Sequence, residues 1–246
     1  MVYWCLKAVL SPVLLLLWRV RVEGRRYVPR RGPALLAANH QSFCDSFFLP
    51  LVIARRVTFV AKAEYFDSWR TGWFFRAAGQ IPIRRDGGDV SRRALDTATG
   101  VLADGKLLGI YPEGTRAPDE RLYRGRTGVA RLAVATGAPV VPVALVGTRK
   151  IQPPGRLVMR PFHAVTVRFG PPLYADPATG DDPLALRAFT ERLMAAIAEL
   201  SGQERAEVYA SEVRAPQGRT TAEREGDAHA AQQPGHGDGA AGADPR

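Results

Sequence analysis

Pro33-Ala34-Leu35-Leu36-Ala37-Ala38-Asn39-His40-Gln41-Ser42-Phe43-Cys44-Asp45 sets an apolar run directly against a polar cluster. Residues 34–38 read as a buried strand, a short unbroken apolar segment bounded by a proline and polar residues. A histidine at the end of such a strand, with a carboxylate nearby, can take a proton from a hydroxyl while the carboxylate fixes its tautomer. Within one helix, positions i and i+5 diverge by about 140°. His40 and Asp45 therefore meet only if His40 lies in the turn and Asp45 begins the next helix. A surface histidine beside a capping aspartate is the plainer reading of this spacing taken alone.

Outward from this stretch, short apolar runs alternate with helical patterns. Strands are expected at 34–38, 57–61, 80–83, 107–111, 140–145 and 165–169, and helices at 46–54, 69–78, 90–104, 127–136 and 183–200. This alternation predicts an α/β domain with a mainly parallel sheet and flanking helices, its functional loops beyond the strand ends. Gly105 and Gly137 follow two of the helices as C-caps. Trp69 and Trp73, spaced i and i+4 among Phe74, Phe75 and two arginines, suit a membrane–water boundary or ordinary core packing.

The chain has 246 residues and a formal charge of +10, unevenly spread. Residues 203–246 carry 5 arginines against 8 acids, whereas the first 202 carry 29 Lys and Arg against 16 acids, a net of +13. So basic a body calls for an anionic partner such as nucleic acid, a phosphorylated small molecule or an anionic membrane. The two cysteines, Cys5 and Cys44, suggest no disulfide framework, and no spacing with the four histidines resembles a zinc site. The apolar stretch 2–18 is interrupted by Lys7, Ser11 and Pro12, and its cleanest part, 13–18, is too short to span a bilayer that needs about 20 apolar residues. Arg19, Arg21, Arg25 and Arg26 stand where a cleavage site would be needed. Apolar segment then basic cluster describes an interfacial or re-entrant anchor, here a short N-terminal membrane-interfacial helix holding the chain on the cytoplasmic face of a membrane, with a core helix of the domain as the plainer alternative. Three regions follow: 1–22 as membrane-associating segment, 23–201 as catalytic domain, and 202–246, where apolar periodicity stops, as disordered tail.

Three further strand ends carry chemistry. Gln80-Ile81-Pro82-Ile83-Arg84-Arg85-Asp86 ends in two arginines. Gly109-Ile110-Tyr111-Pro112-Glu113-Gly114-Thr115-Arg116 ends in a glutamate, a glycine, a hydroxyl and an arginine. Val140-Val141-Pro142-Val143 is apolar with an internal proline. A parallel sheet brings these ends to one edge, where Arg85 and Arg116 can clamp a phosphate and Gly114 lets backbone approach it. Singly, each is an ordinary solvated turn or surface ion pair; their order behind the His40–Asp45 stretch is what carries meaning.

With these blocks in order, the chain resembles the glycerolipid acyltransferase family, which includes 1-acylglycerol-3-phosphate O-acyltransferases. The blocks are Asn39 to Asp45, Ile81 to Arg85, Tyr111 to Arg116 and Val141-Pro142-Val143, with Lys62-Ala63-Glu64 before the second also similar. The resemblance covers about residues 23–200 and implies a glycerol-3-phosphate acyltransferase-like fold. It implies His40 as general base and Asp45 as the group that orients it. It also implies Lys62, Arg84, Arg85, Glu113, Gly114, Thr115 and Arg116 as substrate-binding. Tyr111 departs from the family's common phenylalanine and Pro82 from its common aromatic, and the N-terminus has room for about one helix where the family often has two.

The activity so implied moves an acyl group from acyl-CoA or acyl-carrier protein to the sn-2 hydroxyl of 1-acylglycerol-3-phosphate, giving phosphatidic acid for phospholipid biosynthesis. No cofactor beyond that co-substrate is expected. Because the acceptor hydroxyl is the nucleophile, no acyl-enzyme is required, and the chain lacks a Gly-x-Ser-x-Gly elbow. Cys44, between His40 and Asp45, is expected to point into the core. Two rivals remain: the same chemistry on another lysophospholipid, and a non-enzymatic basic membrane-binding module. No RNA-binding pattern of interleaved aromatics and basic residues is present, so nucleic acid is not expected as a partner.

Overall fold

The computed structural model describes residues 2–213, apart from 68, 70, 71, 78, 79, 84–89 and 157. The strand Ala34–Ala38 (β2) is buried at every position, and its alternating side chains feed two separate cores. Ala34, Leu36 and Ala38 pack with Phe48, Leu49 and Val52 of the helix Asp45–Val52 (α2). Leu35 and Ala37 point the other way, into a core built by the helices Val90–Ala103 (α5), Gly128–Thr136 (α6) and Pro183–Ser201 (α8). A strand covered on both faces has no polar side, which is why its sequence does not alternate.

Around β2 a seven-stranded sheet forms. It contains Arg19–Glu23 (β1), Val57–Lys62 (β3), Ile81–Ile83 (β4), Leu107–Ile110 (β5), Val140–Val146 (β6) and Ala164–Phe169 (β7), in the order β1-β7-β6-β2-β5-β3-β4. Every neighbouring pair is parallel except β6 with β7, so the sheet is mostly parallel, as expected. Short helices Glu64–Asp67 (α3), Gly72–Ala77 (α4) and Thr148–Ile151 (α7) complete the connections, and Val2–Leu17 forms the N-terminal helix α1. Gly137 takes the left-handed conformation that closes α6, with its N–H on the carbonyl of Ala133.

Three expectations need correcting. Arg19 and Arg21, expected within the membrane-associating segment 1–22, belong to β1, which pairs with β7, so the sheet begins at residue 19 rather than after 22. β1 is an edge strand whose outward charges discourage pairing with another chain. Trp69 and Trp73 do not share one helix, since α4 starts at Gly72 and Trp69 stands in the preceding turn. The segment after Gly202 is not a tail at its start. Leu122 N–H donates to Glu204, Ala206 N–H to Leu122 and Arg124 N–H to Val208, while Ala206 and Ala210 are buried beside Tyr123. Residues 214–246, the rest of the expected tail, lie outside the described residues. No described helix is long and apolar enough to cross a membrane.

Candidate active site

β2 and β5 are adjacent and parallel, so the loops leaving them emerge side by side on one edge of the sheet. Asn39 anchors the first loop. Its side-chain carbonyl accepts from Leu145 N–H at 2.7 Å and its amide donates to Leu145 O at 3.1 Å, tying the end of β2 to β6. The chain then wraps around Asp45, which is fully buried at the first turn of α2. Asp45 Oδ2 accepts from the backbone N–H of Gln41 and of Ser42, both at 2.8 Å, and lies 2.9 Å from His40 Nδ1. The i, i+5 problem is solved by this wrap, with His40 in the loop and Asp45 opening the helix.

The second loop holds the first. Glu113 is 1% exposed, and its two carboxylate oxygens face in different directions. Oε1 accepts from His40 N–H at 2.9 Å and Oε2 from Tyr123 N–H at 3.0 Å. Expected among the substrate-binding residues, Glu113 is instead committed to backbone amides, and it reaches the cleft only through the position it gives His40. Burial pushes its carboxyl up to about 7, against the pull of those two hydrogen bonds.

Beneath the histidine is a stack of rings. His40 lies flat on Tyr111, centroids 3.8 Å apart and planes 10° apart, and Tyr111 in turn stacks near Phe59. The Tyr111 hydroxyl, whose pKa burial raises well above the usual tyrosine value, sits 2.9 Å from Ser46 Oγ. Gly109 gives the Phe59 ring its room, since a Cβ there would stand 2.4 Å from it. Neither Tyr111 nor Asn39 was assigned a role from sequence. An aromatic following an apolar strand carries no signal of stacking on a residue some 70 positions away.

His40 opens on a cleft of about 730 Å³ that Gly114, Thr115 and Arg116 also line. The sequence-predicted residues His40, Gly114, Thr115 and Arg116 are thus brought to one space. Leu14, Phe47, Leu51 and Leu108 line its apolar part, and Arg126 and Arg131, not expected from sequence, line its basic part. Lys62 ends β3 on the same sheet edge. Arg84 and Arg85 lie outside the described residues. Cys44 is buried, its Sγ 3.3 Å from Ser42 Oγ, and burial pushes its thiol up to about 12, a poor nucleophile. Among the described residues no cluster of three or more His, Cys, Asp or Glu side chains is placed to hold a metal ion.

An oriented imidazole in a cleft lined by both apolar and cationic side chains suits proton removal from the hydroxyl of an amphipathic, anionic molecule. A family model described as acyltransferase matches residues 19–146, just over half of the chain. The chloroplastic 1-acyl-sn-glycerol-3-phosphate acyltransferase of Arabidopsis thaliana is 33% identical over 139 residues, covering 56% of this chain and 39% of that protein. Its counterpart from Brassica napus is 30% identical over 162 residues, covering 65% and 47%. The chain therefore spans less than half the length of these two curated relatives. The crystal structure of the 1-acyl-sn-glycerophosphate acyltransferase PlsC from Thermotoga maritima matches with a TM-score of 0.63 at 28% identity, over 79% of this chain and 76% of that one.

Proposed function

Because the chain belongs to the acyltransferase family, we propose that it transfers a fatty acyl group from a thioester donor to the sn-2 hydroxyl of 1-acylglycerol-3-phosphate, giving phosphatidic acid. The observation that carries this reading is the 2.9 Å contact of His40 Nδ1 with the buried Asp45, with His40 lining a cleft both apolar and cationic. The names of the relatives and of the structural neighbour support the acceptor.

With Nδ1–H donated to Asp45, the His40 lone pair lies on Nε2, free to accept a proton. His40 takes the proton of the acceptor hydroxyl as the oxygen attacks the thioester carbon, and Asp45 stabilises the imidazolium that forms. The tetrahedral intermediate collapses, the carbon–sulfur bond breaks, and the imidazolium returns the proton to the departing thiolate. The products are an ester and a free thiol, of coenzyme A or of acyl-carrier protein. Leu14, Phe47, Leu51 and Leu108 offer acyl chains an apolar wall, while Arg116 offers the phosphate a charge-assisted donor fork.

The test is purified protein given acyl-CoA and a panel of lysolipids, with products resolved by mass. Wild type should acylate 1-acylglycerol-3-phosphate in preference to lysolipids with bulkier head groups. His40→Ala should lower kcat by about 10²- to 10⁴-fold, the usual worth of general base catalysis. Activity within a few-fold of wild type would remove His40 as the base.

A further inference from the structure

Arg126 belongs to none of the matching blocks, yet its side chain reaches the active-site loop. A Cβ on Gly114, which has φ +75°, would stand 3.0 Å from Arg126 Nε, so the guanidinium stem lies directly over that glycine. Gly114 follows Glu113, whose carboxylate holds His40 N–H. The same arginine lines the cleft with His40 and Arg116. Its own backbone N–H donates to Pro112 O at 2.8 Å, closing this loop on itself.

What fixes the guanidinium comes from beyond α8. Arg126 donates through one terminal nitrogen to Ser211 Oγ at 2.9 Å, and its guanidinium carbon lies 5.1 Å from the centre of the Tyr209 ring. That segment is itself fastened down. Arg205 pairs with Glu191 of α8, Arg124 N–H donates to Val208 O, and Gln203 Oε1 accepts from Asn39 at 2.7 Å. A long, exposed arginine normally spends rotamer entropy on reaching any one position. Here a hydroxyl and an aromatic face hold it, and among the described residues its remaining side-chain donors have no hydrogen-bond partner.

We propose that Arg126 is a second phosphate-holding residue of the acceptor site, and that residues 203–213 form a strap whose Tyr209 and Ser211 position it. The inference rests on the acyltransferase reading and names a part of that site. The phosphate in question is the acceptor's: in 1-acylglycerol-3-phosphate the carbon next to the reacting one carries the phosphate ester. That phosphate must come to rest close to His40, where Arg126 overlies Gly114. The donor's phosphates are the other source of the same chemistry, and separate Michaelis constants distinguish the two.

Steady-state kinetics with 1-acylglycerol-3-phosphate and acyl-CoA, each varied in turn, provide the test. Arg126→Ala should raise the acceptor KM by about 10-fold or more, the worth of one charge-assisted hydrogen bond, and leave the donor KM within about 2-fold. Arg126→Lys should recover part of that loss by keeping the charge. Tyr209→Ala and Ser211→Ala should raise the acceptor KM less, Tyr209→Phe, which keeps the ring, should recover most of the Tyr209→Ala loss, and Tyr209→Ala should add nothing in the Arg126→Ala background. A rise confined to the donor KM would reassign Arg126 and overturn the proposal, as would additive effects of Tyr209 and Arg126 for the strap. An active wild type whose acceptor KM is unmoved by Arg126→Ala overturns this inference alone. A wild type that acylates no acceptor overturns the function and the inference with it.

Discussion

Asp45 Oδ2 receives two backbone N–H bonds besides the histidine, while among the described residues its Oδ1 is buried without a hydrogen-bond partner. An asparagine could keep the three contacts only by burying its N–H groups where Oδ1 lies, at about 1–3 kcal/mol. It would also remove the charge opposite the imidazolium. Asp45→Asn is therefore expected to lower kcat by at least about 10²-fold, against about 10⁴-fold for the comparable change in a serine protease. Near-normal turnover would separate Asp45 from the proton transfer. Glu113 makes a different prediction because both of its oxygens accept. Glutamine can accept from only one of His40 N–H and Tyr123 N–H, and it turns a donor toward the other. Glu113→Gln should cost activity about 10- to 100-fold through a displaced His40 loop, with no single substrate's KM selectively affected. The same residue gives a pH signature. Its folded pKa of about 7 lies above the ordinary value of 4.5, so between these the folded state holds a proton that the unfolded state has lost. Wild type should thus lose stability relative to Glu113→Gln as pH rises from about 5 to about 7, by no more than about 3 kcal/mol. Denaturant unfolding at pH 5 and 8 measures this, and a gap that is constant or widens in the wild type's favour would mean the carboxyl is ionised throughout.

At the scale of elements, the strands most readable in sequence are those with no polar face, β2, β5 and β6, because complete burial leaves an unbroken apolar run. β1 escaped notice for the opposite reason: Arg19, Arg21 and Glu23 are charged because the strand is an edge. The strap at 203–213 was invisible because its docking runs through backbone bonds to Leu122 and Arg124, which leave no periodic trace in side chains. The His40–Asp45 pair could be read because both partners lie five residues apart. Glu113's role could not, since its contacts are with main-chain atoms of His40 and Tyr123. Gly109 belongs to this second kind, an ordinary strand glycine in sequence whose purpose is the ring it admits. Gly109→Ala should press a methyl into Phe59, move the ring stack under His40 and destabilise the fold by about 1–3 kcal/mol, as overpacking does. The companion change Phe59→Leu should relieve the clash and restore part of the stability. If the pair is instead additive in thermal unfolding, the strain lies elsewhere.

For the whole molecule, the question is how a cleft suited to lipid meets its substrate. Helix α1 turns Trp4, Val9, Val13, Leu15 and Leu16 outward, the last 82% exposed, and at the same time Leu10 and Leu14 of this helix line the cleft. One element therefore presents an apolar surface to the outside and a wall to the cleft, on a body whose first 202 residues carry a net charge of +13. We infer that α1 lies in the surface of an anionic membrane, so that acceptor lipid passes along it into the cleft without crossing water. Removing the whole helix would also remove cleft wall, so the discriminating change is on its outer face: Leu15→Ser with Leu16→Ser. Burial of a leucine is worth about 1.5–3 kcal/mol when complete, so even partial insertion of two predicts at least about a 10-fold loss of binding to phosphatidylglycerol vesicles. Raised salt should weaken binding of wild type and variant alike, since each basic residue near an anionic surface adds about 1 kcal/mol that salt screens. Turnover of a soluble short-chain acceptor should be unchanged in the variant, while turnover of vesicle-embedded acceptor falls with the binding. A double variant that still binds vesicles like wild type would move the membrane contact off this face of α1, and Trp69 and Trp73, both exposed, would be the next surface to alter.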